Sequence, residues 1–218
     1  MTSLALPTPF DNREILAIVV GASFAAGLNV YATVATLGLL GHFAVIPLPP
    51  ALHVLTSWWV IGPAVAMFVI EFFADKVPAF DLVWNALHTF IRIPVAALMG
   101  YAATSQLSPK AQLFSALLAA GIAFAAHSGK FAARAAVTPS PEPASNIALS
   151  LGEDAIAIGL TWFATAHPYL AALFVAIALL LVIVLVRLVW KAMVHLFRGA
   201  RSQIAKLQEP AWPGRSAS

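Results

Sequence analysis

Nearly every residue between 15 and 190 belongs to an apolar run, and runs of this length restrict the chain to a membrane. Six of them lie at about 15–46, 54–74, 82–104, 111–137, 146–166 and 168–190. Each reaches the ~20 residues that a helix needs to cross a ~30 Å hydrocarbon core. Hydrocarbon offers no partner to a free N–H or C=O, so such segments must close their hydrogen bonds within helices. The separators are turn formers: PLPP at Pro47–Pro50, Asp75–Phe80, Ser105–Lys110, the Pro-rich Thr138–Ser145 and the tight His167–Pro168. The expected fold class is an all-α integral membrane protein with about six transmembrane helices, some of them interrupted. Composition agrees, because 61% hydrophobic residues against 10% charged leave too little polar surface for a soluble domain. Arg13 and the small residues of Gly21–Gly27 imitate a secretory signal, but the apolar character continues to Ile46 and predicts a retained span.

The basic residues fix the expected orientation. Six spans place both termini on one side, and Arg187, Lys191, Arg198, Arg201, Lys206 and Arg215 lie on or after the last span. That side is expected to be cytoplasmic, with Lys76, Lys130 and Arg134 at helix ends there and only Lys110 outside. The net charge of +3 is thereby explained without nucleic acid. The expected layout is a cytoplasmic segment 1–14, a transmembrane domain 15–196 and a basic, flexible cytoplasmic tail 197–218. The expected location is a bacterial inner membrane. With no Cys, disulfide and thiol chemistry are excluded.

One block breaks the apolar pattern: EFFADKVPAFDLVWNALHTFIRIP, from Glu71 to Pro94. Glu71 and Asp75 are one turn apart, and Pro78 breaks the chain before the next helix. Asp81, Asn85, His88 and Arg92 follow steps of four, three and four, so a helix aligns them on one face. A corner whose charges reach the headgroups accounts for Asp75, Lys76 and Asp81. It does not account for Arg92, eleven residues past Asp81 and so roughly 16 Å deeper. An ionisable group at that depth costs about 2.5–3.5 kcal/mol and persists where it faces protein or a wet cavity. Pro94, two residues on, is expected to interrupt this helix and leave polar backbone beside His88 and Arg92.

Further polar residues lie along the chain. Asn29 sits near the middle of the long first run, between Gly21, Gly27, Gly38 and Gly41. Two readings stand: close packing with Asn29 bonded to a neighbouring helix, or a broken helix offering backbone groups to a ligand. Tyr31 and His42 are ambiguous in the same way. Trp58 and Trp59 suit an aromatic belt, and Pro63 is expected to kink its helix. His127, Lys130 and Arg134 are three and four apart; snorkelling suits the last two but not the deeper His127. Asn146, Ser150, Glu153 and Asp154 also recur at helical spacing, the two acids well inside an apolar segment. The last run is uniformly aliphatic and reads as a lipid-facing scaffold.

GASFAAGLNVYATVAT at 21–36 and GIAFAAHSGKFAARAA at 121–136 align one hundred residues apart. Three spans per half would insert the second half upside down, as in inverted-repeat transporters. The halves would be about 15–104 and 111–196.

AAGLNVYATVATLGLLGHF, EFFADKVPAFDLVWNALHTFIRIPVAAL, AAHSGKFAARAAVT and NIALSLGED together resemble the bacterial membrane family catalogued as domain of unknown function 4126. The resemblance covers roughly residues 15–190 and implies a multi-pass membrane protein without an established activity. From the residues themselves, no Walker loop, HExxH, nucleophile elbow or Cys ligand set is present, and no motif implies a cofactor. Glu71, Asp75, Asp81, His88, Glu153 and Asp154 are the candidate metal ligands, though their spacing fits no template. The leading expectation is a small channel or secondary transporter for an ion or small solute. Its pathway would use Asn29, Glu71, Asp75, Asp81, Asn85, His88, Arg92, His127, Lys130, Arg134, Asn146, Glu153 and Asp154. The alternatives are a structural or assembly protein with buried ion pairs and, behind it, an intramembrane enzyme. The expected partners are the lipid bilayer, the transported solute and a second copy of the chain.

Overall fold

The computed structural model describes the backbone of residues 10–76, 78–137 and 143–208. It contains α1 (Asn12–Leu28), α2 (Val30–His42), a 3-10 helix (Pro50–Thr56), α3 (Trp58–Ala74), α4 (Pro78–Ala103), α5 (Pro109–Val137), α6 (Pro143–Ala166) and α7 (Pro168–Gln208). No strand occurs among the described residues. Helix starts follow local chemistry. Pro78, Pro109, Pro143 and Pro168 each occupy a first helical position, where a missing N–H costs nothing. Asp11 caps α1 by accepting from the N–H groups of Arg13 and Glu14, while Glu14 accepts from the Asp11 N–H at 3.0 Å.

Four stretches are long and apolar enough to cross a membrane: Ala86–Ala103, Pro109–Arg134, Ile147–Ala166 and Pro168–Arg198. A fifth is added if the 3-10 helix and α3, bent by 63°, are taken as one span. The expected run at 15–46 instead forms two helices of 17 and 13 residues separated at Asn29. The expected repeat gains no support from helix boundaries: residues 21–36 straddle that break, whereas 121–136 lie within uninterrupted α5. Pro94 does not end α4, which continues to Ala103; the proline removes one donor without terminating the helix. Helix α7 continues to Gln208, so helical backbone enters the segment expected to be a flexible tail; residues 209–218 lie outside those described.

Helix α1 is the central element. Its residues from Gly21 to Leu28 are all buried, packed among α4, α5, α6 and α7. Small residues permit this. A Cβ at Gly21 would stand 2.5 Å from the Ala164 Cβ, and one at Gly27 would stand 2.7 Å from the Ala126 Cβ. Backbones therefore approach as they do across small-residue interfaces in lipid. In contrast, α7 presents Leu173, Ile177, Leu180, Val184 and Leu188 outward. The bundle thus has a small-residue centre and an aliphatic exterior, and the charged side chains must find partners inside it.

Candidate functional site

The break between α1 and α2 is built by Asn29. Its backbone is extended, with φ −149° and ψ 102°, and its side-chain oxygen accepts from the Ala32 N–H at 2.9 Å. In an unbroken helix that N–H would bond to the Leu28 carbonyl. The carbonyl is thus left for another donor, and Lys130 Nζ lies 3.4 Å from it. On the other side, Asn29 Nδ2 donates to Asp154 Oδ1 at 2.9 Å. Asn29 therefore both interrupts the helix and bonds to its neighbour, joining two readings that stood apart on sequence alone.

Four further helices bring charge to this break. Glu71 comes from the last turn of α3 and Asp75 caps that helix; Arg92 comes from α4, Lys130 and Arg134 from α5, and Glu153 and Asp154 from α6. All seven are buried. Lys130 Nζ lies 2.8 Å from Asp75 Oδ2, 3.3 Å from Glu153 Oε2 and 3.6 Å from Glu71 Oε1. Arg134 Nη2 donates to Asp75 Oδ2 at 2.9 Å and to Glu153 Oε2 at 2.8 Å. Arg92 Nη2 donates to Glu71 Oε1, both side chains being fully sequestered. Among the described residues, four buried carboxylates thus face three buried cations. The adjacent acids of α6 diverge, Glu153 toward Arg134 and Lys130, Asp154 toward Asn29.

The histidines extend the network. Arg92 Nη1 lies 2.8 Å from His127 Nδ1, and His127 Nε2 lies 2.7 Å from Thr89 Oγ1. A guanidinium only donates, so His127 Nδ1 must accept and its Nε2–H must donate to Thr89. Thr89 had no distinguishing signal in the sequence beyond lying three residues before Arg92. His88 Nδ1 donates to the Trp84 carbonyl at 2.7 Å. Its ring stacks on Trp84 at 4.1 Å and meets Tyr31 edge-on at 5.6 Å. Glu71 Oε2, Asp75 Oδ1, His88 Nε2, Arg92 Nε and Asp154 Oδ2 are buried and have no hydrogen-bond partner among the described protein atoms. His42 stands apart from the network, its Nδ1 2.9 Å from the Thr56 carbonyl oxygen.

At the end of α3, immediately beyond the span, burial alone would raise the Asp75 carboxyl. The Lys130 ammonium and Arg134 guanidinium outweigh it and hold that carboxyl below the usual range. Burial lowers Lys76, whose Nζ donates to the Phe72 carbonyl at 2.7 Å and stands over the Phe72 ring.

The side chains of Asp81, Asn85 and Asn146, also expected on the pathway, lie outside the described residues. Among the described residues, no three His, Cys, Asp or Glu side chains are grouped to hold a metal ion. The other candidate metal ligands, Glu71, Asp75, His88, Glu153 and Asp154, are engaged by protein groups. Glu71, Asp75 and Glu153 accept from Arg92, Lys130 and Arg134, Asp154 accepts from Asn29, and His88 is held on Trp84.

No curated protein and no solved structure matches the chain. The model of a family described as a domain of unknown function (DUF4126) matches residues 16–188, which include every residue of the buried network. The chain therefore belongs to the DUF4126 family.

Proposed function

We propose that the chain is a small secondary transporter, or a channel, that moves an ion or small solute past the buried charges. The observation that carries this reading is the broken helix. The carbonyl end of α1 meets Lys130 and the amino end of α2 is tied through Asn29 to Asp154. Helix ends inside a membrane, aimed at ionisable groups, are a recurring plan for ion and solute sites. The orphaned oxygens of Glu71, Asp75 and Asp154 add acceptors that a packing role does not use. The close pairing of the remaining atoms fits an occluded transporter better than an open channel. His88 leaves one buried ring nitrogen, Nε2, without a partner among the described protein atoms.

The same pairing supports a second reading, a structural or assembly protein. Lys130 serves three carboxylates within 3.6 Å, which fixes α3, α5 and α6 against one another. An intramembrane enzyme is disfavoured, since Thr89 and Ser128 bond to His127 and to the Phe124 carbonyl without forming an activated nucleophile.

Purified protein in proteoliposomes, screened for flux of protons, cations, anions and small metabolites, separates the readings. Transport predicts flux that depends on Glu71 and Asp154. Folded protein without flux of any of these establishes the scaffold instead. The proposed topology has both termini cytoplasmic in a bacterial inner membrane, with α1 and α2 forming a broken span in an inverted arrangement. The native lack of Cys makes single-cysteine labelling direct: an impermeant reagent that reaches Ser216→Cys but not Ser108→Cys in whole cells would overturn that topology.

A further inference from the structure

Helix α7 is unbroken over 41 residues, roughly 62 Å, about twice the hydrocarbon core it has to cross. Counted from Pro168, Arg187 is the twentieth residue and lies roughly 30 Å along the axis, where the hydrocarbon ends. Beyond it little of the bundle covers the helix. From Arg187 to Arg198 only Val189 and Val194 are half-buried, and every other residue is exposed.

Two faces of opposite chemistry run along this stretch. Arg187, Lys191, His195 and Arg198 follow steps of four, four and three, a single stripe on a helix. Val186, Val189, Trp190, Met193 and Phe197 occupy the other side, and Trp190, Met193 and Phe197 are 69%, 44% and 65% exposed. Val186, Val189, Trp190 and Met193 also wall a groove of about 610 Å³ whose opposite side is made by α4 and α5. No Asp or Glu occurs in the sequence of α7, and among the described residues Arg187, Lys191 and Arg198 form no ion pair. They lack the carboxylates that answer Arg92, Lys130 and Arg134 inside the bundle.

A basic stripe, an aromatic and aliphatic opposite side and a place at the edge of the hydrocarbon are met together by one class of molecule. We infer that Arg187–Arg198 is a docking surface for anionic phospholipid. Lipid phosphates neutralise Arg187, Lys191 and Arg198, while acyl chains cover Trp190, Met193 and Phe197 and fill the groove against α4 and α5. Zwitterionic lipid serves the apolar side equally but brings an ammonium with each phosphate, so charge confers the selectivity. A second copy of the chain packed on the apolar side leaves all three cations unanswered, because its own α7 carries no acid.

The test is native mass spectrometry of the full chain released from micelles holding equal amounts of dioleoylphosphatidylglycerol and dioleoylphosphatidylcholine. The acyl chains are identical, so the ratio of retained lipids reports the headgroup alone. Each Lys or Arg near an anionic surface is worth about fivefold, so the wild type is expected to favour phosphatidylglycerol by about tenfold or more. Arg187→Gln, Lys191→Gln and Arg198→Gln combined are expected to bring the ratio to near unity while leaving phosphatidylcholine retention unchanged. Lys110→Gln, at an exposed cation near the start of α5, is expected to leave the ratio as it was. Trp190→Gln with Phe197→Gln is expected to lower retention of both lipids. All of these side chains are exposed, and circular dichroism identical to that of the wild type shows that the variants fold. Equal retention of the two lipids by the wild type overturns the inference. So does a ratio that survives the triple substitution or falls as far with Lys110→Gln. A dimer that dissociates in the Trp190 and Phe197 double variant, without any phosphatidylglycerol preference, assigns the face to a second copy and overturns it as well.

Discussion

Removing either member of the Glu71–Arg92 pair tests whether the buried charges are held by one another. Both side chains are fully sequestered. Arg92→Met leaves Glu71 with Lys130 at 3.6 Å, an ammonium already shared with Asp75 and Glu153. It also strips His127 Nδ1 of its donor. Glu71→Leu leaves His127 as the one hydrogen-bond partner of the Arg92 guanidinium among the described residues. Breaking a buried pair from one side costs about 3–5 kcal/mol, because the survivor stays buried and uncompensated. Independent effects would therefore sum to roughly 6–10 kcal/mol in the double variant. Pairing predicts otherwise. With both charges replaced by apolar groups of similar volume, the remaining cost is the orphaned His127 nitrogen, about 1–3 kcal/mol. The double variant is expected to be more stable than either single one, with a coupling energy above about 3 kcal/mol. Unfolding of the four proteins in mixed micelles, titrated with a denaturing detergent and followed by circular dichroism, measures it. An additive double variant refutes the pairing and the argument that mutual neutralisation keeps these charges in the membrane.

Other outcomes follow from the packing and from the protonation of single groups. Gly27→Ala places a Cβ 2.7 Å from the Ala126 Cβ and against the Ala123 backbone, and is expected to lower stability by about 1–3 kcal/mol. Gly121→Ala, with nothing within 4 Å of its new Cβ, is expected to raise stability by up to about 1 kcal/mol; detergent titration checks both. Asp75, held below the usual carboxylate range, contributes stability that is present above the unfolded pKa of about 4 and lost as pH falls through its lower folded value. The melting temperature of the wild type is therefore expected to fall steeply in that acid window, and that of Asp75→Asn less steeply from a lower starting value. His88→Gln keeps a hydrogen-bonding side chain on α4; it is expected to fold normally and reduce flux in proteoliposomes, and unchanged flux removes His88 from the mechanism.

The sequence made the network legible through cost. Charges placed deep in apolar runs need partners, and that requirement pointed Arg92 toward an acid and set Glu153 and Asp154 apart, whereas Lys130 and Arg134 read equally well as snorkelling cations and are buried instead. Spacing put Glu71 and Asp75 one turn apart, and their helix ends before Pro78 as that proline suggests. Which acid meets which base was not legible. It depends on how α3, α4, α5 and α6 are set around α1, including the close approach of α1 to α5 at Gly27 and Ala123, which no sequence pattern reports. The six expected spans compare with four stretches, or five with the bent pair, that are long and apolar enough to cross a membrane among the described residues. Hydropathy is blind to a one-residue break, so α1 and α2 looked like one run. Pro94 was overread, because one lost donor is not enough to end a helix packed against α1 and α5.

That one-residue break explains why the charges gather where they do. An unbroken helix from Asn12 to His42 would be roughly 46 Å long, well beyond a ~30 Å core. Interrupting it at Asn29 exposes a carbonyl end and an amino end deep in the bundle, each carrying a partial charge that hydrocarbon cannot satisfy. Lys130 at the Leu28 carbonyl answers the first, and Asp154, held through Asn29 Nδ2, answers the second. Once Lys130 is buried it needs carboxylates, which Asp75, Glu153 and Glu71 provide. Those in turn require Arg134 and Arg92. The ionic network thus surrounds the break between α1 and α2, each charge lying beside the next. A helix broken at Asn29 and an ionic site beside it are one feature of the fold, so a motion that closes or shifts the break must also rearrange the charges.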